Sequence, residues 1–248
     1  MSKKVFITGA TSGIGRKMAE ECIKKGYTVY ATGRNESSLK TLSDLGAIVF
    51  QADLRNKDDL YAVINQLPLL DVAILNAGLG IFGSFYELSE DDIDNMLETN
   101  VRAPILLARA ISQKMIPARN GHIIIVSSQA GKVATKKASI YASSKHAMTG
   151  FINGARLELA EFNIQVTGIY PGPIDTPFLQ KADATSAYRQ AVKTFLMEPD
   201  KVVTATMRAI ERPVREVNLP RIMGITSKLY AVAPAIVEFV GKGFFNKK

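Results

Sequence analysis

The chain has 248 residues, 47% hydrophobic and 22% charged, enough to bury a substantial core without disulfides or metals. Its one cysteine, Cys22, excludes an intramolecular disulfide and argues against a cysteine-built zinc site. Of the net charge of +8, residues 212–248 carry +5, from seven Lys/Arg against two Glu; no nucleic-acid motif accompanies it, so nucleic acid is set aside as a partner.

The chain opens MSKKVFITGA, where the apolar run after two lysines is too short for a signal peptide. No run of ~18 apolar residues follows, so a cytoplasmic protein is expected. Short β-branched runs then alternate with amphipathic stretches. Strands are expected at 5–8, 27–32, 47–51, 71–75, 122–127 and 164–170. Helices are expected at 13–25, 37–45, 58–66, 91–101, 104–116 and 141–162. The strands are apolar throughout, which suits parallel strands covered on both faces. Repeated β-α units predict an α/β fold: a doubly wound parallel sheet of the Rossmann type, with a ligand at the carboxyl ends of its strands. No linker or composition break divides the chain, and a single domain over 1–248 is expected.

The first strand runs into Thr8-Gly9-Ala10-Thr11-Ser12-Gly13-Ile14-Gly15. Glycines there let backbone approach a pyrophosphate, and the helix that follows offers unpaired N–H groups and a partial positive charge. After a strand and before a helix, this is a dinucleotide-binding turn. The second strand ends Ala31-Thr32-Gly33-Arg34, with no acid to bind ribose hydroxyls. A guanidinium at Arg34 can grip a 2′-phosphate, so NADP(H) is preferred over NAD(H). Arg16 is a candidate second cation.

Tyr141-Ala-Ser-Ser-Lys145 opens the long helix, and the spacing of four puts both side chains on one face. A free tyrosine has a pKa of about 10, and a nearby ammonium is expected to lower it into a workable acid/base range. Ser128 stands at the end of the preceding strand, where its hydroxyl can bond a substrate oxygen. Asn76-Ala77-Gly78 follows the fourth strand. Asn100 sits inside a helix, where asparagine is a poor helix former and invites a specific reason.

Together these residues, from Thr8 to Thr176, resemble the compact single-domain branch of the short-chain dehydrogenase/reductase family. The resemblance implies an enzyme acting on CH–OH groups. In it Tyr141 is the acid/base, Ser128 orients the substrate oxygen, Lys145 binds the nicotinamide ribose and tunes Tyr141, and Asn100 holds a water linked to Lys145. It also implies that Asp53 and Leu54 form an adenine pocket and that Asn76, Ala77 and Gly78 line the cofactor, Leu75 standing where the family often has asparagine. Pro171, Gly172, Ile174 and Thr176 then face the nicotinamide. A homodimer or homotetramer, paired through the helices near 104–116 and 141–162, is the family's habit.

The resemblance also implies a substrate lid at 177–197, where Phe178, Leu179 and Tyr188 can line an apolar pocket for a carbonyl or alcohol substrate. His122, His146 and Cys22 read as structural, and no metal site is expected. In the variable extension 221–248, Ile225, Leu229, Val232, Ile236, Phe239 and Val240 form one helical stripe, with Pro234 breaking or restarting the helix and Phe244-Phe245-Asn-Lys-Lys closing the chain. That stripe can pack on a subunit, cap the pocket, or make peripheral membrane contact through 225–248. A non-catalytic NADP(H)-binding sensor or scaffold is the rival reading; the intact set Asn100, Ser128, Tyr141 and Lys145 argues against it.

Overall fold

The computed structural model describes residues 2–182, 190 and 192–241. Tyr188, most of the lid's middle and the closing segment from 242, including Phe244 and Phe245, lie outside the described residues. Seven parallel strands form one sheet in the order β3-β2-β1-β4-β5-β6-β7. They are β1 Lys4–Thr8, β2 Thr28–Gly33, β3 Ile48–Gln51, β4 Val72–Leu75, β5 Gly121–Val126, β6 Ile164–Pro171 and β7 Glu216–Leu219. The expected doubly wound α/β architecture is what the chain adopts.

The apolar strands explain the layering, because successive side chains leave opposite faces of a strand. Phe6, Ala73, Leu75, Ile123 and Ile125 point to one side. There they meet α3 (Lys57–Gln66), α5 (Ala103–Ala118) and α6 (Ser139–Ala160) through residues such as Leu60, Leu107, Ile111, Met148 and Ile152. Val5, Ile7, Val72, Ile74, Ile124 and Val126 point to the other side. They meet α1 (Gly13–Lys24) and α8 (Pro199–Glu211) through Met18, Cys22, Val203 and Met207. On that side too, α2 (Glu36–Asp44) contributes Leu42.

Side-chain caps start several helices. Asn56 accepts from the N–H groups of Asp58 and Asp59, and Ser89 accepts from that of Asp92 at the head of α4 (Glu90–Leu97). Both first turns carry acids, which the helix dipole favours.

Three sequence expectations change. The helices expected at 91–101 and 104–116 are continuous: α4 passes through a π-helical turn, Glu98–Arg102, into α5. Pro104 has no N–H to return to the Asn100 carbonyl, and the helix widens just before it. Strand β7 was not expected: EVNL is short, half-buried and polar at alternate positions, as an edge strand can be. Helix α8 was also missed, although Pro199 in its first turn and its amphipathic spacing mark it.

Beyond the sheet, α7 (Pro177–Ala182) begins the lid segment. The lid's base is closed by a bridge between Ile174 and Met197 and by the Asp175 N–H donating to the Met197 carbonyl at 3.0 Å. The extension folds as α9 (Arg221–Val232) and α10 (Pro234–Val240). Pro234 stands in the first turn of α10, so the helix restarts there as its sequence requires.

Candidate active site

Strand β1 pairs with β2 on one side and β4 on the other, so the chain's crossovers diverge there and leave a cleft at the carboxyl ends. A cavity of about 610 Å³ lies along those ends. Its walls include Gly9, Thr11 through Gly15, Arg34, Asp53, Leu54, Asn76 through Gly78, Ser128, Tyr141, Lys145, Pro171, Gly172, Ile174 and Thr176, but neither Asn100 nor the candidate second cation Arg16.

The glycine turn is built for close approach. Gly9 has φ of +67°, and a Cβ on Gly15 would fall 2.2 Å from the Gly9 carbonyl oxygen. Ser12 precedes α1 without a side-chain cap bond, and the first turn holds no acid. The leading N–H groups of α1 therefore face the cleft with the positive end of the helix dipole, a fit for a pyrophosphate. Asn76 lines the wall but spends its amide on the frame: Nδ2 donates to the Thr8 carbonyl at 3.0 Å, tying β4 to β1. Arg16 is occupied by Glu20, with Nε at 2.8 Å from its carboxylate. Arg34 is different: its side chain is 64% exposed, and its one ion-pair contact among the described residues is to Asp53, at 3.8 Å.

At the other end of the cavity, helix α6 presents Tyr141 and Lys145 on one face. The tyrosine is 8% exposed, with Phe82 edge-on at 5.6 Å and Phe178 tilted at 6.0 Å between ring centres. The Ser128 hydroxyl lines the same cavity and acts on the phenol as a donor, and its oxygen accepts from the Ala130 N–H at 3.0 Å. The buried Lys145 ammonium donates to the Val126 carbonyl at 3.3 Å and stands 5.8 Å from the tyrosine ring centre. Asn100, in the π-helical turn, is buried behind them. Its Nδ2 donates to the Leu79 carbonyl at 2.7 Å and the Ser144 hydroxyl at 3.0 Å, and its Oδ1 accepts from the Leu79 N–H at 2.8 Å. The side chain thus pins the loop after β4 against α6, beside Gly78 and the Lys145 ammonium.

The electrostatics correct one expectation. Burial pushes the Tyr141 phenol up to about 12, with the Ser128 bond acting in the opposite direction. The ammonium was expected to bring the phenol down. It is itself pulled down to about 8 by burial, and it points its hydrogen bond at a carbonyl instead.

Four features of the cavity were not anticipated. Arg55 lies in the adenine half, two residues past Asp53 at the carboxyl end of β3, a position that could have flagged it. Phe82 lies in the loop after Asn76-Ala77-Gly78. The lid is fastened to that loop, since the Phe82 N–H donates to the Ala182 carbonyl at 2.9 Å. The tail walls the substrate half with Ile222, Met223, Thr226, Tyr230 and Val237. These are not the residues of the expected capping stripe. Ile225, Leu229, Val232, Ile236, Phe239 and Val240 are all exposed, Val232 to 86%, so pocket capping falls to the neighbouring flank of the same helices.

His122 and Cys22 are buried, as a structural role requires, and His146 returns Nδ1 to the Ala142 carbonyl at 2.8 Å. Among the described residues no group of His, Cys, Asp and Glu side chains could hold a metal ion, and no helix is long and apolar enough to cross a membrane.

A family model described as short chain dehydrogenase matches residues 3–187. An uncharacterized short-chain type dehydrogenase/reductase of Sinorhizobium fredii is 32% identical over 212 residues, covering 84% of this chain and 85% of the relative. Among solved structures, a short-chain dehydrogenase from Sphingobium yanoikuyae in complex with NADPH superposes with a TM-score of 0.80 at 26% identity, covering 94% of this chain and 96% of that one. A serine dehydrogenase complexed with NADP+ gives 0.80 at 28% identity, covering 87% and 93%. A 4-hydroxyisoleucine dehydrogenase complexed with NADH gives 0.80 at 25% identity, covering 88% and 96%.

Proposed function

The chain belongs to the short-chain dehydrogenase/reductase family, and from that premise we propose that it is an NADP(H)-dependent oxidoreductase interconverting a carbonyl and an alcohol, with Tyr141 as acid/base. The observation that carries this reading is one side chain's setting: a buried phenol one helical turn from Lys145, in the same cavity as Ser128 and the glycine turn.

The cofactor, when bound, supplies or accepts the hydride. The chain's own residues do the rest. The N–H groups at the start of α1 hold the pyrophosphate, and the exposed guanidinium of Arg34 holds a 2′-phosphate, which favours NADP(H). The relatives of known structure include NADPH, NADP+ and NADH complexes, so it is Arg34 that supports the preference. Ser128 orients the substrate oxygen. Tyr141 delivers its Oη proton to that oxygen in reduction, and the Lys145 ammonium stabilises the phenolate left behind. Asn100 keeps the neighbouring loop in place. At neutral pH the phenol is protonated, the form that can donate in reduction.

Walls of Phe82, Phe178, Leu179, Ile222, Met223 and Val237 suit an apolar carbonyl compound. On this reading 1–248 is one catalytic domain, 177–197 is its lid, and subunits pair through the outer faces of α5 and α6. Oxidation of NADPH against a panel of aldehydes, ketones and quinones tests the activity; tight NADPH binding with no turnover of any carbonyl would favour a sensor instead.

A second role is supported by the exposed stripe on α9 and α10. Ile225, Leu229 and Val232 share a face with Arg221 and Lys228, within the segment that carries +5 of the net charge. An apolar stripe with flanking cations suits an anionic membrane surface, and the inner side of the same helices lines the pocket.

A further inference from the structure

We infer that Arg55 sets the cofactor preference indirectly, by occupying Asp53 so that Arg34 stays available to a 2′-phosphate. The inference rests on the NADP(H) reading above and deepens it.

Three charged groups meet at the adenine end of the cavity. Asp53 is about one-third exposed and lies between two guanidinium groups. Arg55 holds it in a fork: Nε lies 3.0 and 3.1 Å from the two carboxylate oxygens, and Nη2 lies 2.5 Å from Oδ2. The Arg55 backbone N–H adds a bond to Oδ1 at 3.1 Å. From behind, Asn95 on α4 accepts from Arg55 Nη1 at 2.7 Å and fixes the fork's direction. The loop is fixed too, since the Asp53 N–H donates to the Asp59 carboxylate at 2.8 Å. Arg34 reaches the same Oδ2 only at 3.8 Å, outside hydrogen-bonding range, and remains largely in solvent.

The two arginines therefore compete for one carboxylate, and Arg55 has it. A bidentate, charge-assisted pair is strong and directional, and a lone 3.8 Å contact at an exposed site is weak. The Asp53 carboxyl is held below its usual range chiefly by the hydrogen bond from Arg55, with Arg34 the smallest contributor. Without Arg55, Asp53 would be a carboxylate in need of a cation, with Arg34 its nearest neighbour. Arg34 would then close on it and be withdrawn from a phosphate. Where Arg34 instead stayed on the phosphate, the unpaired Asp53 carboxylate would repel that phosphate. The same Asp53 is harmless to a 2′-hydroxyl, so the effect separates the two nicotinamide cofactors.

The test is the ratio of NADPH to NADH affinity, measured by fluorescence titration, with 2′,5′-ADP against 5′-AMP as non-redox probes. The ratio cancels any damage common to both cofactors. Arg55→Gln is expected to lower it roughly tenfold, mostly through weaker NADPH and 2′,5′-ADP binding. Asp53→Asn combined with Arg55→Gln is expected to restore most of the ratio, because no carboxylate remains to capture Arg34. Equal weakening of both cofactors by Arg55→Gln would overturn the inference. So would a double variant as poor as the single one, since Arg55 would then act on the phosphate directly. A wild-type protein that binds NADPH and NADH equally would instead overturn the NADP(H) reading, before any variant is made.

Discussion

Lys145 lies one helical turn beyond Tyr141, its ammonium 5.8 Å from the centre of the tyrosine ring, yet its hydrogen bond goes to the Val126 carbonyl at 3.3 Å. Burial pulls this lysine down to about 8 and pushes the phenol up to about 12. Proton donation thus begins from a neutral phenol, and the cation needed for the phenolate is lost above pH 8. Reductive turnover is expected to be level below about pH 7 and to fall as pH rises through about 8. Lys145→Met should lower turnover and remove that fall. A wild-type profile level to pH 10, or the same fall in the variant, would contradict this role.

A second pH effect belongs to the fold. His122 is 4% exposed, and its Nε2 meets the Thr167 hydroxyl at 2.8 Å. That hydroxyl donates to the Val214 carbonyl, so Nε2 carries the proton, and Nδ1 is buried with no partner among the described residues. Burial lowers this histidine to about 4 from 6.5. Above pH 6.5 both folded and unfolded chains hold it neutral, and it costs nothing. As pH falls through 6.5 the unfolded chain takes up a proton first, so stability declines, by about 3 kcal/mol in all by pH 4. Denaturant unfolding of the wild type and of His122→Asn at pH 7 and pH 4.5 measures this. The variant is expected to lose less on acidification; equal losses would assign the acid sensitivity elsewhere.

The outer stripe of α9 and α10 makes a separate claim. Co-sedimentation with vesicles containing anionic phospholipid should be clear for the wild type and weak with neutral vesicles. Leu229→Glu combined with Phe239→Glu should abolish it while leaving the inner, pocket-lining side untouched. Wild-type protein that stays in the supernatant with anionic vesicles would remove the membrane reading and leave the stripe to a second subunit.

The sheet was legible because its central strands have no polar side: Val72-Ala73-Ile74-Leu75 and Ile123-Ile124-Ile125-Val126 are buried on both faces. Strand β7 was not, because an edge strand needs no such run. The glycine turn and the Tyr141/Lys145 pair were legible because local spacing alone places them. Arg55 and the tail's pocket wall depend on which distant segments meet, and spacing does not report that. The stripe shows the same limit: α9 is apolar on two sides, and the periodicity could mark a face without saying which one meets the pocket.

The central claim is that the Tyr141 hydroxyl moves the substrate's proton. Tyr141→Phe removes only that oxygen and keeps the ring between Phe82 and Phe178. With a carbonyl substrate found by the screen, the variant is expected to bind NADPH within about twofold of wild type and to turn over at least ~100-fold more slowly. Near-normal turnover with intact NADPH binding would contradict the assignment.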